Sequence, residues 1–421
     1  MKLAIVGGGS SYTPELVDGL IARHADLPLH EICLMDIDAR RLEILRGLTQ
    51  RMVSRAGVPT TVTATTDRHA ALDGATYVNA LIRVGGMDAR INDERIPLKY
   101  GVVGQETTGP GGMMKALRTI PPMLELARDM EAICPDAWLI NYTNPSGIIA
   151  EALGRHSGVR FVGLCSGPRG YIQQVLSLMG VEPARASVEW MGLNHLGFLT
   201  RLWVDGRDAT PQAIEAVAGH WPVDGDWLRA LGAIPASYLR YYYHRDAVVD
   251  EASRPGQRTR GEVVKEIEAE LLRQYAQPDL AGKPELLAAR GGGGYAEVAL
   301  AAMTAIHHNR PDRQIVQVLN QGAIDGLPAD ASVEVTCLVD AAGAHPLRAG
   351  PLPLAVRGLV QAVKAYESLT VQAAVEGSRT LALQALIAHP LVPSYGVARP
   401  LLDELLAANR QWLPWARGAR P

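Results

Sequence analysis

The chain has 421 residues, 48% hydrophobic and 20% charged, with a formal net charge of −3 at pH 7. This is ordinary globular composition with enough core for two lobes, and the small negative charge gives no footprint for nucleic acid or an anionic membrane. Cys33, Cys134, Cys165 and Cys337 are widely spaced with no CxxC pair, Met1 leads into an apolar strand rather than a signal sequence, and no apolar run would span a bilayer, so a cytoplasmic protein is expected.

Residues 3–6 read as a short buried strand, followed by Gly7-Gly8-Gly9-Ser10-Ser11-Tyr12-Thr13-Pro14 and a helix over 15–22. Strand, glycine turn and helix N-terminus in that order make a phosphate cradle. The glycines let the backbone approach a pyrophosphate, and the helix end offers free N–H groups. Gly7, Gly8, Gly9, Ser10 and Ser11 are therefore candidate dinucleotide contacts, although Tyr12 stands at the third glycine of the G-x-G-x-x-G pattern. The second strand, 31–36, ends on Asp36, at the spacing where a carboxylate accepts ribose hydroxyls. A carboxylate there repels a 2′-phosphate, so NAD is expected in preference to NADP. Asp38 is the alternative for this role.

A helix over 40–55 and strands over 61–65 and 77–83 follow. Next comes a polar run with Arg83, Gly85-Gly86, Arg90, Asn92-Asp93, Glu94 and Arg95. It reads as a solvated loop or as a ligand loop, because open α/β sheets bind at the carboxyl ends of their strands. Gly104-Gln105-Glu106-Thr107-Thr108-Gly109 opens a second loop rich in glycine and hydroxyls. A helix over 115–133 leads to a buried strand over 137–141 and to Asn144-Pro145, which puts Asn144 at the top of the sheet near the nicotinamide end of the cofactor.

Residues 161–164 form a further strand with Cys165 at its end, and 188–195 another that ends in Asn194 and His195. A lone cysteine is ordinarily a small buried hydrophobe. A thiolate and an imidazole at neighbouring strand ends, however, suit one divalent ion with positions left for substrate oxygens. A helix start after Pro235 leaves Tyr238 at a loop-to-helix corner, with Tyr241, Tyr242 and Tyr243 behind it. Residues 254–275 combine a basic opening (Arg254, Arg258, Arg260) with a charged helix, and 290–295 are glycine-rich ahead of an apolar helix over 296–306. Residues 314–319 and 333–339 read as strands, 354–409 as mostly helical cover for the substrate side, and 246–260 as the most mobile part.

The stretches Ile5-Val6-Gly7-Gly8-Gly9-Ser10-Ser11-Tyr12-Thr13-Pro14-Glu15-Leu16-Val17, Asn92-Asp93-Glu94-Arg95-Ile96-Pro97-Leu98-Lys99-Tyr100-Gly101, Gly104-Gln105-Glu106-Thr107-Thr108-Gly109, Thr143-Asn144-Pro145-Ser146-Gly147, Gly192-Leu193-Asn194-His195-Leu196, Tyr238-Leu239-Arg240-Tyr241-Tyr242 and Ala388-His389-Pro390-Leu391 are long and specific. Together they resemble glycoside hydrolase family 4, the NAD- and divalent-metal-dependent glycosidases, over essentially the whole chain. The tyrosine motif is most similar to the 6-phospho-β-glucosidase branch. That branch usually carries Cys-Asn-Val-Pro at the metal cysteine and the α-glucosidase branch Cys-Asp, whereas this chain has Cys165-Ser166-Gly167-Pro168. Ser166 is shorter than either residue and cannot be an ionised acid.

The resemblance implies an α/β fold with a Rossmann-like, lactate/malate dehydrogenase-like N-terminal domain over 1–165 and a mixed α+β, largely helical domain over 166–421 for metal and substrate. It implies hydrolysis of 6-phospho-β-glucosides without the usual pair of carboxylates. Hydride leaves C3 of the sugar for NAD and a base removes the acidified C2 proton, while a divalent metal, Mn²⁺ first, stabilises the enediolate. The C1 leaving group departs, water adds and the hydride returns. Cys165 and His195 hold the metal, and Tyr238 is first choice for the base, with Tyr241 second. Arg83, Arg95 and Arg260 are candidates for a 6-phosphate clamp, and Glu106, Asn144, Ser166 and Asn194 for contacts to the sugar. A homodimer or homotetramer is expected from the apolar helical C-terminal third. Three alternatives remain: an NAD-dependent dehydrogenase of a hydroxy acid or sugar acid, which needs no Cys–His pair and releases NADH; a family 4 glycosidase for α-linked or non-phosphorylated sugars; and a non-catalytic NAD-sensing protein, which has only the glycine loop in its favour.

Overall fold

The structure is a computed structural model that describes residues 1–416 apart from Pro222 and Gly292. The chain opens with β1 (Lys2–Val6), α1 (Thr13–Ala22), β2 (Glu31–Met35), α2 (Ala39–Ala56), β3 (Thr61–Thr65), α3 (Arg68–Leu72) and β4 (Tyr77–Ala80). It continues through α4 (Gly86–Leu98), α5 (Gly109–Ile133), β5 (Trp138–Asn141), α6 (Ser146–His156) and β6 (Arg160–Gly163). These six strands are all parallel, in the order β3-β2-β1-β4-β5-β6. β1, β4 and β5 are buried along their whole length, as strands covered by helices on both faces must be. The order reverses between β1 and β4, and the carboxyl ends of these two strands open a crevice of the kind that receives ligands in such sheets.

α7 (Gly167–Met179) leads to the hairpin of β7 (Ala186–Leu193) and β8 (Leu196–Val204), then β9 (Arg207–Asp208), α8 (Thr210–Val217), α9 (Gly225–Leu231) and β10 (Ile234–Pro235). β7 to β10 form a small antiparallel sheet with its own core around Trp190, Leu199, Leu202 and Trp221. Next come α10 (Arg240–Tyr243), α11 (Arg245–Ala252), α12 (Arg260–Tyr275), α13 (Leu286–Ala289) and α14 (Tyr295–His308). β11 (Asp312–Leu319), β12 (Ile324–Asp325), β13 (Ser332–Asp340), β14 (Gly343–Pro346) and β15 (Gly350–Pro351) precede the final helices α15 (Leu354–Glu376), α16 (Arg379–Ala388) and α17 (Tyr395–Asn409). β11 runs antiparallel beside β6, and β13 and β14 continue outward, so the main sheet has nine strands. The expected division at residue 165 falls where the last parallel strand turns into α7, with one sheet and one continuous core on both sides of it. Among the described residues no helix is long and apolar enough to cross a membrane.

Two stretches read as loops from sequence are helical. The polar run after β4 forms α4, and its charged residues escape the amphipathic pattern because Arg90, Asp93 and Glu94 are buried against other charges rather than solvated. Part of the segment expected to be mobile, 246–260, belongs to α11, which ends ahead of Pro255-Gly256. α12 then starts from a complete capping box, with Thr259 and Glu262 satisfying each other's backbone N–H groups.

Arg118 on α5 ties three helices together. Its guanidinium donates to Asp93 Oδ1 and Oδ2 on α4 at 2.9 and 2.6 Å and to Asn409 Oδ1 on α17 at 2.7 Å, with all three residues buried. Removing the carboxylate strands a buried guanidinium, and such breaks cost about 3–5 kcal/mol. Asp93→Ala should therefore lower the urea unfolding free energy by that amount. A loss below about 1 kcal/mol, the scale of a surface ion pair, contradicts the assignment.

Candidate active site

At the end of β1 the chain turns through three glycines. The N–H groups of Gly7 and Gly8 both donate to the Met35 carbonyl, at 2.9 and 2.8 Å, which fastens the turn to β2. Gly7 has φ +91°, and a Cβ there would lie 2.7 Å from the Leu81 carbonyl oxygen, so only glycine fits. Gly9 N–H donates to Asp36 Oδ2 at 2.9 Å. Asp36 thus closes the turn from the end of β2 and also lines the crevice. Asp38 is engaged elsewhere: as the N-cap of α2 it accepts from the N–H groups of Arg40 and Arg41. Gly7, Gly9 and Ser10 line the crevice, whereas Ser11 is fully buried and donates to Glu268 at 3.0 Å.

The crevice belongs to a cleft of about 980 Å³ that continues past Asn144 to Tyr238, Tyr241 and Arg260. Cys165 follows β6, and His195 occupies the tip of the β7–β8 hairpin with a left-handed φ of +64°. The two side chains meet, with Cys165 Sγ 3.7 Å from His195 Nε2. Two donors on one tetrahedral ion, with metal–sulfur and metal–nitrogen distances near 2.3 and 2.0–2.1 Å, sit about 3.6 Å apart, so this pair fits a shared metal. Burial, reinforced by the Glu334 carboxylate, pushes the Cys165 thiol up to about 12. Burial lowers His195 to about 4, which leaves a neutral imidazole able to ligate. No group of three or more His, Cys, Asp or Glu suited to a metal occurs among the described residues. An ion held here would complete its shell with water or substrate.

The Tyr238 ring stacks on His195 with centroids 4.2 Å apart and planes 8° from parallel, and Tyr241 packs edge-on against Tyr238 at 5.5 Å. Burial raises the Tyr238 phenol well above its ordinary value. Tyr241 is also raised by burial, but the Arg240 guanidinium over its ring, 5.6 Å from the centroid, works against the rise.

Deeper in the cleft, Glu106 faces three cations: Arg83 at 2.6 Å, Lys115 at 2.7 Å and Arg90 at 3.0 Å. Burial opposes its ionisation, but Arg83, Lys115 and Arg90 together hold the carboxyl well below its usual range. Burial and Arg83 push Lys115 down to about 7. Arg90 is shared with Glu94 at 2.8 Å, and Glu94 accepts the Gly261 N–H at 2.7 Å. Lys115 entered the sequence reading only as the start of a helix. Nothing local marks it, since its partner lies a loop away.

Other candidates are not brought to this centre. Arg95 is half-exposed and makes a bidentate pair with Glu262 outside the cleft. Arg260 lines the cleft but donates to the carbonyls of Ala289 and Arg290 at 2.9 and 2.8 Å. Ser166 starts α7 off the cleft wall. Asn194 is turned to the rear of the site, donating to Glu334 at 2.9 Å and accepting the Gly147 N–H at 3.3 Å. Arg290 was not singled out from sequence. It lines the cleft with its guanidinium 4.0 Å above the Tyr12 ring and its charge paired to Glu268.

Residues 2–181 match the family model described as family 4 glycosyl hydrolase, and residues 190–392 match the family 4 glycosyl hydrolase C-terminal domain. A probable 6-phospho-beta-glucosidase of Bacillus subtilis (strain 168) is 44% identical over 432 residues, covering 98% of this chain and 97% of that one. The 6-phospho-alpha-glucosidase 1 of Lacticaseibacillus paracasei is 33% identical over 449 residues, covering 98% of both. The structure of the Thermotoga maritima 6-phospho-beta glucosidase with manganese, NAD+ and glucose-6-phosphate matches with a TM-score of 0.92 at 34% identity, covering 98% of this chain and 99% of that one. Malate dehydrogenase from Plasmodium falciparum shares the fold alone, with a TM-score of 0.55 at 14% identity over 89% of this chain and 99% of its own. With both halves matched to the same family and the strand order of a dinucleotide-binding sheet beneath them, the chain belongs to family 4 of the glycosyl hydrolases.

Proposed function

We propose that this glycoside hydrolase cleaves 6-phospho-β-glucosides, with NAD in the β1–β4 crevice and a divalent ion, Mn²⁺ first, between Cys165 and His195. The observation that carries the reading is that one cleft joins the glycine turn to two half-buried tyrosines, one of them stacked on the histidine of a Cys–His pair spaced for one ion. The inner carboxylates of that cleft point the same way. Glu94, Glu106 and Glu268 are each bound into ion pairs with arginine or lysine, which suits none of them to the acid and base roles of an ordinary glycosidase. The higher identity to the β-specific relative than to the α-specific one favours the β linkage.

NAD would supply a hydride acceptor for C3, and the divalent ion a Lewis acid for the C2 and C3 oxygens. The chain's own residues divide the remaining work. Gly7, Gly9, Ser10 and the start of α1 cradle a pyrophosphate. Asp36 accepts ribose hydroxyls, and Asn144 stands at the nicotinamide end. Cys165 Sγ and the neutral His195 Nε2 hold the ion. Tyr238, as its phenolate, would take the C2 proton. Its raised pKa makes it a poor base by itself, so it acts only where a cation beside His195 stabilises the phenolate. Tyr241, backed by Arg240, is the second candidate. With Lys115 protonated, Arg83, Arg90 and Lys115 outnumber Glu106 and Glu94 by one charge, and an incoming phosphate would favour that state, with Arg83 and Arg260 on the cleft wall.

Titration of the apo chain should give tighter binding of NAD than of NADP, and Asp36→Ala should narrow the gap by removing the charge that repels a 2′-phosphate. Tighter NADP binding by the parent would overturn the role of Asp36.

Exhaustive chelation should abolish hydrolysis and Mn²⁺ should restore it. Cys165→Ser and His195→Ala should each weaken Mn²⁺ binding by more than the ~100-fold that outer-shell changes cost, with an unchanged circular dichroism spectrum. Full activity after chelation excludes the metal role.

Turnover of a 4-nitrophenyl 6-phospho-β-glucoside in D₂O should place deuterium at C2 of the released sugar without net accumulation of NADH. Tyr238→Phe should slow that exchange by about 10²–10⁴-fold, the contribution of a positioned base, with NAD and metal binding retained. If only Tyr241→Phe does so, the base lies three residues further on. Unlabelled product formed at full rate without NAD rules out the redox route.

A further inference from the structure

Behind the Cys165–His195 pair lies a carboxylate that no cation neutralises. Glu334, 1% exposed, is the third residue of β13. Trp190 Nε1 donates to its Oε2 at 3.1 Å, and Asn194 Nδ2 and Gln317 Nε2 donate to its Oε1 at 2.9 Å each. All three donors are neutral. The other buried carboxylates, Asp93, Glu94, Glu151, Glu268 and Glu367, each face arginine or lysine, and among the described residues Glu334 has no such partner. The surroundings are built to reach it. Gly163 and Gly197 leave room for its donors, because a Cβ at Gly163 would lie 2.8 Å from Gln317 Oε1 and one at Gly197 2.5 Å from Trp190 Nε1.

An ionised carboxylate buried among neutral donors is costly. A divalent cation between Cys165 and His195 would offset that cost, since one thiolate and one carboxylate balance its charge. We infer that Glu334 is a positioning residue for the metal pair: it fixes the Asn194 amide next to His195 and, with the Cys165 thiolate, supplies the two negative charges that match a divalent ion. Asn194 transmits the geometry, held by Glu334 at its nitrogen and by the Gly147 N–H at its oxygen. Outer-shell carboxylates act in this way on ligand orientation and affinity. The inference rests on the Cys165–His195 reading above.

The test uses the full chain stripped of metal. Free Mn²⁺ is followed by electron paramagnetic resonance, and Co²⁺ by its sulfur-to-metal absorption band. Glu334→Gln should weaken Mn²⁺ binding about 10–100-fold, the usual range for an outer-shell partner. It should leave NAD affinity unchanged and still develop the band at saturating Co²⁺, because Cys165 remains a ligand. Glu334→Asp, which keeps the charge, should recover part of the lost affinity. Metal-free Glu334→Gln should unfold at or above the parental temperature, since an uncompensated buried charge is gone. Parental Mn²⁺ affinity in Glu334→Gln overturns the inference, as does equal loss in both variants. A Glu334→Gln chain that cannot fold marks the carboxylate as structural and overturns it too. A parent with no sulfur-to-cobalt band removes the metal pair itself, an outcome distinct from a parent and variant that bind equally.

Discussion

The side chain of Gln317 lies against the bare backbone of Gly163, and at that single register position the parallel and antiparallel parts of the main sheet join. Much of the site depends on this junction. Two residues past Gly163 the chain reaches Cys165, held at the end of the last parallel strand. On its other side Gln317 stands opposite Glu334 in the β11–β13 ladder. One row across three strands therefore runs from Gly163, two residues before Cys165, through Gln317 to Glu334. The small β7–β10 sheet is anchored to the same row, because Trp190 donates to Glu334 through its indole and to Thr336 through its backbone N–H. A side chain at residue 163 would push β11 away and separate the parts that converge on His195.

The glycine-turn end of the cleft was legible in the sequence because its physics is local. A glycine turn, a helix start and an acid one strand later suffice, and Gly7, Gly9, Ser10 and Asp36 all line the crevice. The choice between Asp36 and Asp38 was not legible, since either could sit at the strand end. Only the N-cap bonds to Arg40 and Arg41 show that Asp38 is engaged in α2. Cys165 and His195 were legible as strand-end residues, though 30 positions apart, and their meeting needed the fold.

Charged residues were the hardest to read. Sequence cannot distinguish an arginine that faces solvent from one that faces a buried carboxylate. Arg95 and Arg83 look alike in the polar run, yet Arg95 pairs with Glu262 outside the cleft while Arg83 reaches Glu106 within it. α4 was hidden for the same reason, because its polar residues satisfy one another inside the protein. Glu334 gave only a faint signal, an acid among the valines at the start of a strand, and its donors come from two other strands and a hairpin turn.

These buried charges divide by sign. Around Glu106 three cations converge, and burial together with the Arg83 charge pushes Lys115 down to about 7. Around Cys165 and Glu334 the charge is negative or the group stays protonated, and the Glu334 carboxyl is itself raised, chiefly by burial, to about 7. His195 stands within the field of the first cluster, since Glu106 and Lys115 both act on it. Burial holds each cluster short of full ionisation, Lys115 below its ordinary value and the Cys165 thiol and the Glu334 carboxyl above theirs. On the reading proposed above, an anionic group would draw the proton back to the first cluster and a divalent cation would release it from the second, a layout in which local rules of stability give way at the functional site.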